Sequence, residues 1–440
     1  MSPLPPESAP ARVSPNATPL FTLQFPADAL FAAPLAGLVG ELATRHGLGE
    51  TRTGQLVLAA EEVVAYLAPL LAGLPINASL TTTATGLALH FAFPDQRTDL
   101  HHFNLTTDRA EYLAADGDSS GLGLYLAARV VDDFGLELAS GHATITLRHD
   151  RPFPTVVPLA PPAAFSGALT LAPLATADLI DTACAQIIAA YPPEDYEAVV
   201  TTPARLAALI AGGSHDALVA TDAAGRVGGL LYWTVPSARS ALFFGPYVFG
   251  GRGSEAAQLL CEGLLARLGK TSIQSVFAGY ATAQTPTALF ERILFPGPQP
   301  RPLLFRQIHE EAGAVVRCPP AFREMLLRIY NDLFLIRDLV PAPSPESLPP
   351  GRSVLGADFD RARSRATLRP LVAGADLAAN IAAHVAFLHR EGIRHVRARC
   401  DLHHGWHAAA AGLFGAAGFV PVGLEPGAGL GDILILEHHG

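Results

Sequence analysis

Lysine is almost absent from this chain: Lys270 is the only one, and every other basic side chain is an arginine. We read that bias as genome composition, not as a binding surface. Charged residues make up 16% of the 440, against about 25% in an average domain. The balance is acidic, a net −10 with histidine neutral and a pI near 5.9. A nucleic-acid backbone binder normally carries a basic face, so that class of partner is not expected. Cysteine is equally scarce. Cys184, Cys261, Cys318 and Cys400 lie far apart, form no Cys-x-x-Cys and lack metal-ligand spacing. Buried reduced thiols in a cytoplasmic protein, with no metal, are the expectation. No run approaches about 18 uninterrupted apolar residues, so neither a transmembrane helix nor a membrane partner is expected. The first 20 residues lack a basic start followed by an apolar core, so they do not read as a signal peptide.

What the chain has in plenty is apolar material, 50% of all residues. That suffices for large cores, and at about 150 residues per domain the length gives roughly three. Proline-rich stretches punctuate the sequence, and proline removes a backbone donor and disfavours helix before it. They divide it into a disordered tail over 1–18, a domain over 19–150, a linker over 151–165, a domain over 166–340, a linker over 341–351 and a last segment over 352–440.

Within 19–150, Leu56, Ala60, Val63, Val64, Leu67 and Leu71 recur at helical spacing, and Leu87, Leu89, Phe91 and Phe93 alternate as in a half-buried strand. GLGLYLAARVVDDFG reads as a glycine-bounded helix and ATITL as a strand. After residue 165, a strand at ALTLAPL precedes helix DLIDTACAQIIAAY, and strands meet at the turn DAAGR. Strand ALFFGPYV then runs through FGGRG into helix SEAAQLLCEGLLARLG. Strand SIQSVFAGY, helix TPTALFERIL and strand PLLFRQI follow. A partial echo appears near the end. Gly269, Phe290 and Phe295 match Gly392, Phe414 and Phe419 in spacing, which suggests a repeated unit.

LAAEEVVAYLAPL, HFAFPDQRTDLHHF and SSGLGLYLAARVVDD stand in a meaningful order. Together they resemble the GHKL (histidine-kinase-like) ATPase fold, specifically its anti-sigma-factor serine kinase branch, over about residues 19–149. The resemblance implies that Glu62 orients a water or acceptor hydroxyl, that Asp95 reads the adenine amino group, and that Gly121 and Gly123 form the phosphate turn of an ATP or ADP site. The asparagine expected to hold Mg²⁺ is replaced by Tyr66, and the glycine after the aspartate motif by Arg97.

Residues 167–310 resemble the GNAT N-acetyltransferase fold, and 352–438 the latter part of a second such unit. The likeness rests on the strand, glycine-rich turn and helix of ALFFGPYVFGGRGSEAAQLLCEGLL. It implies that Gly250, Gly251, Arg252 and Gly253 bind the pyrophosphate of acetyl-CoA, and that an amine attacks the thioester where two parallel strands splay. Glu255 replaces a glycine of the usual turn. Phe290 and Phe414 stand where a tyrosine acid is frequent. Glu194, Asp195 and Tyr196 lie in the loop that often lines the acceptor site, and the catalytic residues stay unassigned.

His403, His404 and His407, with Asp401, read as a solvated segment, as do His101 and His102, while His438 and His439 lie at the tail. Helix 322–335 reads as a packing helix. The fold expected is therefore an α+β or α/β multidomain protein: a GHKL-like sandwich, a GNAT fold and a partial second GNAT-like unit. The leading expectation is an N-acetyltransferase-like protein using acetyl-CoA, with a degenerate nucleotide-binding regulatory domain. The alternatives are a non-enzymatic anti-sigma-like regulator that binds a protein partner through its N-terminal domain, and an ATP-dependent serine kinase.

Overall fold

The alternation of PLFTLQFP opens the chain as strand β1 (Pro19–Pro26) in a computed structural model. The structure describes residues 19–94, 104, 106, 120–139, 141–162, 164–172, 174–295, 303–360 and 364–439. It is a mixed α+β multidomain protein with four sheets, 37% helix and 33% strand. Two compact units emerge. One takes the described residues of Met1–Pro152, Leu348–Asp358 and Leu368–Glu391; the other takes those of Phe153–Ser347, Phe359–Thr367 and Gly392–Gly440.

In the first unit β1 is followed by helices α1 (Ala32–Arg45) and α2 (Glu50–Leu71), strands β2 (Pro75–Thr82) and β3 (Gly86–Pro94), helix α3 (Ser120–Val130), and strands β4 (Asp133–Ala139) and β5 (His142–Asp150). The sheet runs β1-β2-β3-β5-β4, every neighbour antiparallel. By length and composition α2 could cross a membrane. Its Leu56, Ala60, Val63, Val64 and Leu67 instead share a buried cluster with Leu89, Phe91, Phe93, Ile145 and Leu147 of the sheet. Apolar surface removed from water contributes about 25 cal/mol per Å², so this contact stabilises the unit. The helix expected over 121–135 stops at Val130. Beyond it Phe134, Leu136 and Leu138 alternate against the core, and β4 pairs with β5. Pairing and period two prevail there over the apolar run.

The second unit continues with β6 (Thr170–Leu171), α4 (Ala177–Ala190), α5 (Pro203–Ala211), β7 (His215–Thr221), β8 (Val227–Thr234), β9 (Ser240–Val248), α6 (Gly253–Leu268), β10 (Ser275–Ala281), β11 (Glu291–Ile293) and β12 (Leu303–Gln307). These strands form a seven-stranded sheet, β11-β12-β10-β9-β8-β7-β6. Only β9 and β10 pair parallel, joined by the crossover helix α6. One core cluster gathers α6 with Phe243, Val276 and Phe290, and a second gathers α4 and α5 with Tyr232, Phe244 and Tyr247. TPTALFERIL is not the helix its apolar spacing predicts. It makes a 3-10 turn over Thr287–Leu289 and then β11, because Phe290 stacks on Phe243 at 5.1 Å and Glu291 to Ile293 pair with β12.

Strands β13 (Ala314–Cys318) and β14 (Arg337–Pro341) pair parallel around helix α7 (Arg323–Asp332), which ends three residues before the sequence suggests. The chain closes with β15 (Val354–Asp360), β16 (Arg365–Val372), α8 (Leu377–Arg390), β17 (His395–Asp401), α9 (Gly405–Ala416), β18 (Val420–Glu425) and β19 (Ile433–His439). Their sheet order, β15-β16-β17-β19-β18, repeats the β8-β9-β10-β12-β11 pattern of the larger sheet. Each version also places a helix between its second and third strands. In the first unit Val354 joins the buried cluster. Buried Asn104, Ser353 and Asn380 satisfy one another there through five hydrogen bonds, which also take in the Leu355 amide.

Candidate functional site

Of the four residues assigned to a nucleotide, Glu62 is half-buried on α2, and Gly121 and Gly123 lie in the first turn of α3. Asp95 and Arg97 lie outside the described residues, as do His101 and His102. The glycines therefore stand inside a helix, not in a turn ahead of it. The close approach that needs a glycine at 123 is to protein: a Cβ there would fall on the Glu62 carboxylate. Tyr66, one turn after Glu62, is 2% exposed and belongs to the core cluster. Mg²⁺ prefers compact carboxylate and water oxygens. A ring in the core and a carboxylate against helix backbone do not fit Mg²⁺-nucleotide.

Gly250, Gly251, Arg252 and Gly253 are brought together where β9 ends and α6 begins. Gly250 takes φ +65°, and a Cβ there would come within 2.7 Å of the Phe165 ring. At Gly251 a Cβ would meet nothing, so this face of the turn is open to a ligand. Backbone amides at a helix start suit a pyrophosphate. Arg252 is not a free cation. It pairs with Glu255 at 3.2 Å, and Glu255 also accepts the Leu169 amide at 3.2 Å. The described residues of the proline-rich run from Phe153 onward belong to this unit. Val156 donates to Thr201 and Leu159 to Ala185, each at 3.0 Å.

Beside the turn the two parallel strands part. Their register ends at Ala281 opposite Gly245, and the Thr282 hydroxyl donates to the Pro246 carbonyl at 2.7 Å. The Phe249 amide donates to Gly228 of β8, so the intervening Val248 turns its own N–H and C=O toward the opening. Both are met by one side chain. The Tyr191 hydroxyl accepts from the Val248 amide at 2.8 Å and donates to its carbonyl at 3.1 Å. Burial raises the Tyr191 pKa, so it stays a neutral phenol able to do both.

A polar-edged aromatic cluster lines the same side. Tyr232 stacks on Phe244 at 4.9 Å and donates to Glu197 at 3.2 Å, while Tyr247 donates to the Asp195 carbonyl at 3.0 Å. Of the loop residues singled out in sequence, Glu194 is exposed and Tyr196 is buried, and Asp195 serves Tyr247 through its backbone. Tyr191, Tyr232, Tyr247 and Glu197 are the residues sequence reasoning missed. For Tyr232 and Tyr247 the available signal is a tyrosine inside an otherwise apolar strand, since a buried phenol needs a partner. Phe290 and Phe414 are both core residues.

The histidine-rich segment is structural. The Asp401 carboxylate accepts the amides of His403, Leu430 and Gly431, and burial lowers the His407 pKa to about 3. A separate open cavity of about 360 Å³ lies between α4 and the β7–β8 turn, lined by Asp178, Thr182, Gln186 and Arg226.

No family model matches this chain, and no curated protein matches it either.

Proposed function

We propose that this is an N-acetyltransferase-like protein that binds acetyl-CoA at Gly250, Gly251, Arg252 and Gly253, with Tyr191 guarding the opening between β9 and β10 and a GHKL-like N-terminal domain as its regulatory part. The observation that carries the reading is the opening itself. A single parallel strand pair is crossed by α6, a glycine turn stands at its head, and the last residue of β9 presents an N–H and a C=O to the gap. That arrangement is what the resemblance to the GNAT fold implies, and the recurrence of its strand order in the last sheet supports it further.

Acetyl-CoA, when bound, supplies an acyl thioester to an amine. Toward it this chain offers the amides at the start of α6, open space at Gly251, and the Val248 backbone once the Tyr191 hydroxyl moves away. Glu255 opposes the pyrophosphate and Arg252 offsets that charge. Proximity would then supply most of the rate. The test is calorimetric titration of the intact chain with acetyl-CoA. Micromolar binding is expected, lost in Gly251→Glu, a position with room for the new side chain. No binding in a demonstrably folded sample would overturn the proposal.

A second reading, a non-enzymatic regulator acting through its N-terminal domain, is favoured by the burial of Tyr66 and by the seat of Gly123 on Glu62. It predicts a protein partner that co-purifies with residues 19–150 of the intact chain and no acetyl-CoA binding.

A further inference from the structure

On the polar face of the last sheet, β17 and β19 run antiparallel with His395 opposite His439 and Arg397 opposite Glu437. Residues directly opposite share a face, and residues two apart along a strand do too. The register therefore gathers these four side chains into one patch. We infer that His395, Glu437 and His439 form a binding site for a divalent transition-metal ion of the zinc class.

The ligand set is arranged around one carboxylate oxygen. Glu437 Oε1 lies 3.0 Å from His395 Nδ1 and 3.7 Å from His439 Nδ1, and all three ligand atoms fall within 4.8 Å of one another. Bonds near 2 Å at tetrahedral angles set ligand atoms about 3.3 Å apart, so small side-chain rotations close the site on an ion. The other oxygen, Oε2, accepts from Arg397 Nε at 2.7 Å. That bond fixes the carboxylate and leaves Oε1 for the metal, as outer partners of metal ligands do. The Glu437 side chain is 8% exposed, while His395 and His439 are 45% and 42% exposed. An ion could thus reach the site from solvent and keep a coordination position open. Two imidazole nitrogens and one carboxylate oxygen suit zinc, copper or nickel better than magnesium or calcium, which favour all-oxygen sets. His438, between two of the ligands, turns to the other face and packs on Phe419. Among the described residues no other group of three histidines, cysteines or carboxylates gathers its ligand atoms this closely.

The test is titration of the intact chain with zinc chloride by calorimetry, with circular dichroism to verify folding of each variant. One ion per chain is expected. His439→Ala and Glu437→Gln should each weaken binding at least tenfold, and His403→Ala, in the other histidine-rich segment, should leave it unchanged. Cobalt(II) used in place of zinc should give visible ligand-field bands that disappear in His439→Ala. Failure to bind zinc, or binding that persists at native strength in His439→Ala and Glu437→Gln, would overturn the inference. Neither result bears on acetyl-CoA.

Discussion

Gly123 on α3 sits against the carboxylate of Glu62 on α2, so closely that no β-carbon fits between the helix backbone and that side chain. The pair links two residues that a nucleotide pocket would need apart, with phosphate between them. It also permits a clean energetic test. Glycine costs about 1 kcal/mol relative to alanine in a helix interior, so at this first-turn position Gly123→Ala should stabilise the chain by less than that in a Glu62→Ala background. With Glu62 present the same change should be neutral or destabilising. Denaturant melts of the four proteins measure the coupling, expected at about 0.5–3 kcal/mol. Additivity would show that the contact carries no energy.

Three desolvated histidines contribute to the acid limb of stability. Burial lowers His215 and His384 to about 4 and His407 to about 3. Between pH 6.5 and those values the unfolded chain takes up protons that the folded chain refuses, so stability falls as pH drops through this window. His384 Nε2 has no hydrogen-bond partner among the described residues. His384→Leu should therefore flatten the pH dependence by up to about 1.4 kcal/mol per pH unit. An unchanged slope in urea melts from pH 7 to pH 4 would contradict this.

Asp132 adds to the same limb at lower pH. Burial favours its neutral form, but the His149 hydrogen bond at 2.8 Å, the Asp150 amide and the charges of His149 and Arg52 outweigh that and hold its carboxyl well below the usual range. A depressed carboxyl stabilises the fold above its unfolded pKa and loses that contribution as pH falls toward the folded one. The side chain is 36% exposed, so the pair is partly screened. Asp132→Asn should cost about 1 kcal/mol at pH 7 and progressively less below pH 4. An equal cost at both ends would contradict the assignment.

Burial decides which ion pairs count. Arg337 and Asp432 meet at 2.6 Å with side chains 1% and 2% exposed, while Arg306 and Glu291 meet at 3.1 Å at the surface. Asp432→Asn should cost about 3 kcal/mol, because it leaves the buried Arg337 guanidinium with Glu311 as its one remaining ionic partner among the described residues. Arg306→Gln should cost under about 1 kcal/mol. Chemical denaturation compares them directly.

All four cysteines are buried and free, and burial raises each thiol, to about 12 for Cys184 and Cys261 and about 11 for Cys318. Because the thiolate is the reactive form, a thiol reagent at pH 8 should modify none of them until denaturant is added. Rapid labelling of the native chain would contradict the packing.

Much of this fold was legible in the sequence. The spacing in α2, the alternation in β3, the DAAGR hairpin and the passage from β9 through glycines into α6 were readable because local pattern and tertiary packing agree there. β4 and β11 were not, since each is a strand only through its pairing with β5 or β12, which its own sequence does not announce. The site was legible in outline only. Glycines at 250, 251 and 253 mark the turn, but no pattern shows that Tyr191, 57 residues from Val248, would satisfy both of its backbone groups. Nor could spacing reveal His395 beside His439, which needs the register of β17 on β19.

In the function proposed above, the opening beside Val248 is an acetyl-CoA site held shut by Tyr191. The most direct measurement is acetyl-CoA affinity, by calorimetry, in the native chain and in Tyr191→Phe. Removing the hydroxyl frees the Val248 N–H and C=O, so the variant should bind more tightly, by about tenfold if one hydrogen bond of about 1.4 kcal/mol is no longer displaced. Equal affinity, or weaker binding in a folded Tyr191→Phe chain, would show that Tyr191 does not close an acetyl-CoA site.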